Sequence, residues 1–386
     1  MATVKKRSWR TAKGETKEAW RVRYVDQTGK TRTRQFDLKR DADAFRVRAE
    51  GEVVAGIHTA DSTSITVAEA ANIWIANAEN NGRERGTLKA YREMSERHIK
   101  PLLGKEKLSR LSAPKVVTFA DAMTSTRSIA MAGKAVRALS MILGEAQRRG
   151  LVAQNVARGV KVKRSKRDKR RIVVPPKPHL LALLEAADAM EGEDARLPAL
   201  IRVAMFAGLR SSELRGLTWL SIDLAEPNIT VSQRADRWND IGAPKSDAGH
   251  RTIPVGPSLA TLLKKWKLRC PASATRLVFP NARGKPMSQH SIIERFLAVQ
   301  IGAGLAIDTG KLDAKGEVVW KPRYGLHSLR HAAASAWIKQ GIDLKRLQVW
   351  IGHATIQLTI DTYGHLITDA QADAALAGGA ETALLA

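Results

Sequence analysis

Cysteine occurs once in the chain, at Cys270. No internal disulfide can form, and such usage fits a reducing cytoplasm. Cys270 stands beside Pro271 with no histidine near it in sequence, so it reads as structural. Acidic residues are scarce: 38 Asp and Glu face 64 Lys and Arg, a formal net charge of +26. A charge of this size repels itself unless an anion takes it up, and nucleic acid is the expected partner. No apolar run approaches the roughly 18 residues that span a bilayer. The basic stretch Met1–Arg10 lacks the apolar core of a secretory signal. A cytoplasmic, nucleoid-associated protein without a membrane partner is therefore expected. The sequence holds no Gly-rich NTPase loop of the form GxxxxGK[ST], which argues against ATP use. It also holds no acidic cluster of the kind that grips two metals for strand transfer. Tyrosine is rare too, with only Tyr24, Tyr91, Tyr324 and Tyr363.

What is present supports real cores. Hydrophobic residues make up 44% of 386, enough for two or three domains. Residues 1–60 carry 15 Lys and Arg against 8 Asp and Glu, a net of 15 − 8 = +7. Trp20 to Val25 alternates apolar and polar, Asp26 to Gly29 signals a turn, and Thr31 to Phe36 reads as a second strand. Val4 to Arg10 supplies a third, and Asp41 caps a helix carrying Phe45, Val47 and Val54. A ribbon bearing Arg21, Arg23, Arg32 and Arg34 can enter a DNA major groove. His58 to Ser64 reads as a linker. Over 64–160, Thr66 and Glu69 form a capping-box pattern. Four amphipathic helices follow, one from Thr66 carrying Ala70, Ile73 and Trp74, one from Thr87 through Tyr91 and His98, one opened by Ser112 and Pro114 with Val117, Phe119 and Met123, and one from about Arg127 to Arg149, and make an all-helical domain. Residues 161–171, KVKRSKRDKRR, hold eight basic residues among eleven. This is a linker expected to lie on phosphates through Lys163, Arg164, Lys166 and Arg167. From 172 to 386 the pattern is mostly helical with a small sheet near 222–224, 229–231 and 252–255. Gly302 to Pro322 reads as long and irregular.

The stretch Tyr324–His365 concentrates chemistry. His327, Arg330 and His331 fall within five residues, Gly352-His353 follows, and Tyr363 comes next. His327 and Arg330 are i and i+3, on one helix face. Cations on one face with a phenol nearby suit a phosphodiester. The His327/His331 spacing imitates a zinc pair, but no third ligand stands near it.

Three blocks carry a resemblance to the tyrosine recombinases of the phage-integrase type: AGLRSSEL at 207–214, HSLRH at 327–331 and IGHATIQLTIDTYGH at 351–365. The order and separations are similar to those of the family. Ser328 stands where the family often has Asp, and Ala207 where Thr is frequent. The resemblance implies a multidomain, mainly α fold with small β-sheets. Its parts would be a β-rich arm-binding module over 1–60, a helical core-binding domain over 64–160, a basic linker and an α+β catalytic domain over 172–386. It implies a site-specific recombinase, an integrase of a phage or other integrative element. Tyr363 would attack phosphorus and keep a 3′-phosphotyrosine, while Arg210 and Arg330 hold the non-bridging oxygens. His327 and His353 would donate to the growing charge. Glu213 would orient the site through Arg210 or His327. The family's general-acid lysine sits on a β-hairpin, and Lys245 is the only lysine between Lys177 and Lys264. The covalent intermediate conserves bond energy, so neither cofactor nor metal is expected. Expected partners are double-stranded DNA at core and arm sites, three further copies in a tetramer, a directionality factor and a DNA-bending host protein. A type IB topoisomerase would share the tyrosine chemistry, and a non-catalytic DNA-binding regulator would share only the charge.

Overall fold

The structure, a computed structural model, describes residues 2–12, 14–26, 29–54, 58, 60–61, 63–163, 173–366 and 382. The expected contacts Arg164, Lys166 and Arg167, and the tail beyond 366 apart from Thr382, lie outside the described residues; Lys163 is described and exposed. The chain divides into two compact units, Met1–Lys169 and Arg170–Ala386. Among the described residues no helix is long and apolar enough to cross a membrane.

The first unit opens with an antiparallel sheet of β1 (Thr3–Arg10), β2 (Thr16–Val25) and β3 (Thr31–Phe36), in that order. Helix α1 (Lys39–Val54) covers one face. Side chains alternate across a strand, so period two sorts the arginines. Val22 and Tyr24 pack on Ala42, Phe45 and Ala49 of the helix. Their register partners are Arg34 and Arg32, which therefore share the helix-covered face. Arg34 lies over the Phe36 and Phe45 rings, 5.3 and 4.9 Å from their centroids, and Arg32 Nε donates to Asp26 Oδ2 at 2.7 Å. Arg21 and Arg23 face the other way, with Lys5 opposite Arg21. The ribbon's four arginines thus split between two faces. Of the expected helix residues only Phe45 is inward; Val47 and Val54 are exposed, because Ala42 and Ala49 complete its buried stripe. Asp41 sits in the first turn rather than before it.

The stretch expected to be a linker is anchored at both ends. His58 is buried, with Nε2 2.8 Å from Tyr24 Oη and Nδ1 2.9 Å from Glu52 Oε2. Asp61 receives Arg110 and the Ser109 hydroxyl. Beyond it stand α2 (Val67–Asn80), α3 (Arg85–Met94), a π-helical turn at Ser95–Ile99, α4 (Lys100–Leu103), α5 (Ala113–Thr126) and α6 (Ile129–Arg148). The capping box forms: Glu69 N–H donates to Thr66 Oγ1 at 3.2 Å and Thr66 N–H to Glu69 Oε2 at 2.7 Å. Their core gathers Trp74, Ile99, Phe119, Leu139 and Leu143.

The second unit packs α7 (Lys177–Ala189), α8 (Leu197–Phe206), α9 (Ser211–Gly216), α10 (Pro257–Arg269), α11 (Gln289–Gly302), α12 (His327–Lys339), α13 (Leu344–Ile351) and α14 (Ile356–Tyr363). A three-stranded antiparallel sheet joins β4 (Ile222–Asp223), β5 (Asn228–Val231) and, after a short ribbon of β6 (Arg234–Ala235) and β7 (Ile241–Gly242), β8 (Arg251–Pro254). Its core includes Leu200, Ile229, Ile253, Phe279 and Leu329. The region expected to be irregular, 302–322, instead forms a hairpin, β9 (Ile307–Leu312) with β10 (Val318–Lys321). All ten strand residues are exposed, so no buried alternation marks them in the sequence.

Candidate active site

Three arginines converge on the C-terminal end of α13. The last carbonyls of a helix have no partner within it. Gly352, at φ +68°, turns the chain there, as the left-handed closing residue of a helix does. Gly352 N–H returns to the Gln348 carbonyl at 2.9 Å. The same N–H also reaches Val349 O at 2.9 Å, and the three carbonyls after that each accept from a different guanidinium. Trp350 O takes Arg251 Nε at 2.7 Å, Ile351 O takes Arg330 Nη2, and Gly352 O takes Arg210 Nη2 at 2.7 Å. The negative end of the helix dipole adds to this attraction.

Each arginine arrives on a separate element. Arg210 stands just before α9, where its N–H donates to Glu213 Oε2 at 2.8 Å and its Nη1 to Glu213 Oε1 at 2.6 Å. Arg330 comes from α12, is 1% exposed, and also donates from Nη1 to Gly208 O at 2.7 Å. Arg251 opens β8, where the burial pattern turns it inward with Ile253. It meets Glu213 through Nη1 to Oε1 at 3.0 Å and Nη2 to Oε2 at 2.8 Å. Burial raises the Glu213 pKa, but the hydrogen bonds and charge of Arg251, with the charge of Arg210, outweigh it and hold the carboxyl down at about 2. Burial lowers Arg330 to about 9, helped by the Arg210 charge, so it remains a cation at neutral pH.

The phenol of Tyr363 closes α14 and is fully buried against Ala334, Leu347 and Ile351. Its hydroxyl lies 2.9 Å from His331 Nδ1. The His353 ring stacks nearly parallel to it at 6.2 Å, and His353 Nδ1 is 3.1 Å from the buried Thr359 hydroxyl. His327 meets His331 edge to face at 4.7 Å. Burial, then His327 and Arg330, holds His331 down to about 4. Burial, then Arg330 and Arg210, does the same to His353, also to about 4. His327 is lowered by burial and then by Arg330 and Arg210. His331 and His353 are therefore neutral at pH 7, and a neutral imidazole can accept one hydrogen bond while donating another. Burial raises the Tyr363 phenol despite the opposing Arg330 and Arg210 charges.

The structure brings Arg210, Glu213, His327, Arg330, His353 and Tyr363 together. Lys245 is exposed on the loop between β7 and β8. Tyr324, the other tyrosine of this unit near the HSLRH block, is buried with its hydroxyl 2.7 Å from His179 Nδ1. Glu213 is bonded to Arg210 and to Arg251. Sequence reasoning missed Arg251; its signal was an arginine at an inward strand position, paired with Val231. It also gave His331 no role, although the HSLRH block contains it. Among the described residues no group of three His, Cys, Asp or Glu could hold a metal, so the His327/His331 pair has no third ligand there.

These depressed values fix a pH dependence. Between the ordinary histidine pKa and about 4, the unfolded chain binds protons that His331 and His353 refuse when folded. Glu213 adds the same trend between its ordinary value and about 2. The Arg170–Ala386 unit should therefore lose stability steadily as pH falls from about 6.5 toward 4. Thermal melts at pH 7 and pH 4.5 measure it, and His353→Gln should flatten the slope.

The chain matches the phage integrase family over residues 177–369 and the phage integrase central domain over 67–163. It belongs to the phage integrase family and is a tyrosine-type site-specific recombinase. An integrase of Streptomyces ambofaciens is 26% identical over 356 residues, covering 87% of this chain and 83% of that one. A XerC-like tyrosine recombinase of Caldanaerobacter subterraneus subsp. tengcongensis is 23% identical over 397 residues, covering 91% and 93%. Among solved structures, the Tn1549 transposon integrase (residues 82–397) in complex with a circular intermediate DNA superposes with a TM-score of 0.65 at 18% identity, over 84% of this chain and all of that one. A lambda integrase tetramer bound to a Holliday junction gives 0.58 at 19%, over 90% and 95%. At these identities the likeness is one of fold.

Proposed function

We propose that this recombinase cuts and rejoins duplex DNA through a 3′-phosphotyrosine on Tyr363, as an integrase of a phage or another integrative element. The observation that carries the reading is the gathering of Tyr363, the histidines His327, His331 and His353, and the arginines Arg210 and Arg330. Arg210 and Arg330 neutralise the non-bridging oxygens as charge grows on them. His353 and His327 donate to the same oxygens. His331 holds the hydroxyl of Tyr363, and Lys245 protonates the departing 5′-oxygen. Tyr363 and Arg330 are closed off from solvent, so α14 must shift or its cover must open when DNA enters.

The DNA-bound neighbours, the lambda integrase tetramer and the charge of +26 support double-stranded DNA as partner and a tetramer on two sites. A directionality factor and a DNA-bending protein complete the expected assembly. Residues 1–60 serve as the arm-site module, 64–160 as the core-binding domain, 161–171 as the basic linker and 172–386 as the catalytic domain. Incubating the full chain with host genomic DNA, trapping covalent complexes and sequencing the attached ends tests this. Ends clustered at a few sequences, joined to a Tyr363 peptide, are expected. Adducts on another residue, or none, would overturn it.

Within this reading the arm contacts are Arg21 and Arg23 with Lys5, a choice supported by their facing away from α1, while Arg32 and Arg34 share the helix-covered face. Arg23→Ala should weaken DNA binding and lower the salt slope by about 1. Arg34→Ala should leave that slope unchanged and lower the melting temperature instead. Binding titrations at several salt concentrations decide between them, and equal effects on slope would reject the assignment.

A further inference from the structure

Arg251 belongs to none of the roles above, yet it carries as many hydrogen bonds as Glu213 at the centre of the site. It is 6% exposed, and four hydrogen bonds engage it. They run to Trp350 O, to both oxygens of Glu213 and, from Nη1 at 3.0 Å, to Gly249 O. The last contact matters because of where Gly249 sits. Lys245 is followed by a tight turn in which Gly249 N–H donates to Ser246 O at 2.8 Å and His250 N–H to Asp247 O at 2.9 Å. Pro244, the residue before Lys245, lies so close to Gly249 that an added Cβ would come within 2.4 Å of the proline Cβ. Both neighbours of Lys245 are thus held by a turn whose end is clamped by the Arg251 guanidinium. From the other side, a Cβ on Gly352 would meet Ala248 O at 2.8 Å and Arg251 Nη1 at 3.0 Å, so loop and helix end touch at this joint.

A fold-stabilising role alone accounts poorly for this arrangement. At an inward strand position a hydrocarbon such as Ile253 packs without desolvating a charge, and buried ion pairs are commonly no more stabilising than apolar replacements. An arginine here gives something a hydrocarbon cannot, a set of directed bonds to three separate segments. We propose that Arg251 is a positioning residue for strand cleavage: it registers the loop that carries Lys245 against Glu213, and through Glu213 against Arg210, on the carbonyl end of α13. Acid and anion clamp then move as one body. The inference rests on the reading of Lys245 as the general acid.

The test uses the full chain and a nicked duplex bearing the sequence recovered by covalent trapping, made with oxygen or with sulfur at the bridging 5′ position. The sulfur leaves without a proton, so it removes the need for the acid. Arg251→Lys should keep DNA binding and slow cleavage of the oxygen duplex by about 10²-fold, the scale of an ångström-level misplacement. The sulfur duplex should recover most of that loss. Gly249→Ala, whose added Cβ would press on Pro244 inside the Lys245 loop and leaves the bonds of Arg210 and Arg330 untouched, should show the same split and serves if Arg251→Lys folds poorly. Equal slowing on both duplexes, or no slowing on either, overturns the proposal. A second readout does not depend on the acid assignment. Limited trypsin digestion followed by mass spectrometry should show faster cutting after Lys245 in Arg251→Lys, relative to cutting after Lys311. Unchanged cutting after Lys245 means the loop is not held by Arg251. If sulfur fails to rescue Lys245→Ala, the acid reading falls, and trypsin alone then decides whether Arg251 registers the loop.

Discussion

Tyr363→Phe should bind DNA like the parent protein and form no covalent adduct at all. The phenyl ring still fills the space between Ala334, Leu347 and Ile351, so the fold of α14 against α13 survives. What is lost is the oxygen that attacks and its hydrogen bond to His331, worth about 1 kcal/mol of stability. The contrasting variant is Tyr324→Phe. Its hydroxyl meets only His179 among the contacts found for it, away from the arginine cluster, so cleavage should persist with a slightly lower melting temperature. A denaturing gel separates the outcomes. An adduct surviving in Tyr363→Phe, or vanishing in Tyr324→Phe, would exchange the roles of the two tyrosines.

Lys245→Ala carries the second large effect. Its proposed task is to protonate the 5′-oxygen as that oxygen leaves. An alkoxide is about as basic as hydroxide, whose parent water has a pKa of roughly 15.7. A thiol has a pKa of about 8.5, so a thiolate leaves far more readily. The alanine variant should cleave oxygen-bridged DNA about 10²–10⁴-fold more slowly, and should approach the parent rate on the sulfur-bridged duplex. Arg210→Ala should be slow on both, because its guanidinium serves the non-bridging oxygens, which the sulfur does not alter. Rescue of Arg210→Ala to the same degree, or failure to rescue Lys245→Ala, would make Lys245 a phosphate contact.

Much of the site was legible because its parts lie in short, continuous segments. His327, Arg330 and His331 share two turns of α12, and the spacing of His353 and Tyr363 follows from the glycine stop at Gly352 and the brief α14. Strand β2 was legible for the same local reason, the alternation of apolar and polar residues from Trp20 to Val25. The exposed hairpin at 307–321 was not, because alternation marks a strand only when one face is buried, and here neither is. The linker reading of His58 to Ser64 missed the anchoring, since the partners Tyr24 and Arg110 are 34 and 49 residues away.

The sequence by itself determined the chemical inventory: a strongly basic chain, two arginines, histidines and one tyrosine in ordered blocks, and the family those blocks resemble. Composition and local periodicity are enough for that, because they need no knowledge of distant contacts. Only the tertiary structure decided which charges are spent inside and which remain outside. It turned Arg34 onto the Phe36 and Phe45 rings while leaving Arg23 exposed. It separated Tyr363 from Tyr324 by placing one beside the arginines and the other against His179. It also revealed Arg251, whose partners Glu213 and Trp350 lie 38 and 99 residues from it. The physical reason is common to all three. A guanidinium or phenol taken out of water must find partners, and folding brings them within reach wherever they stand in the chain: rings for Arg34, imidazoles for the two tyrosines, and a carboxylate with helix-end carbonyls for Arg251.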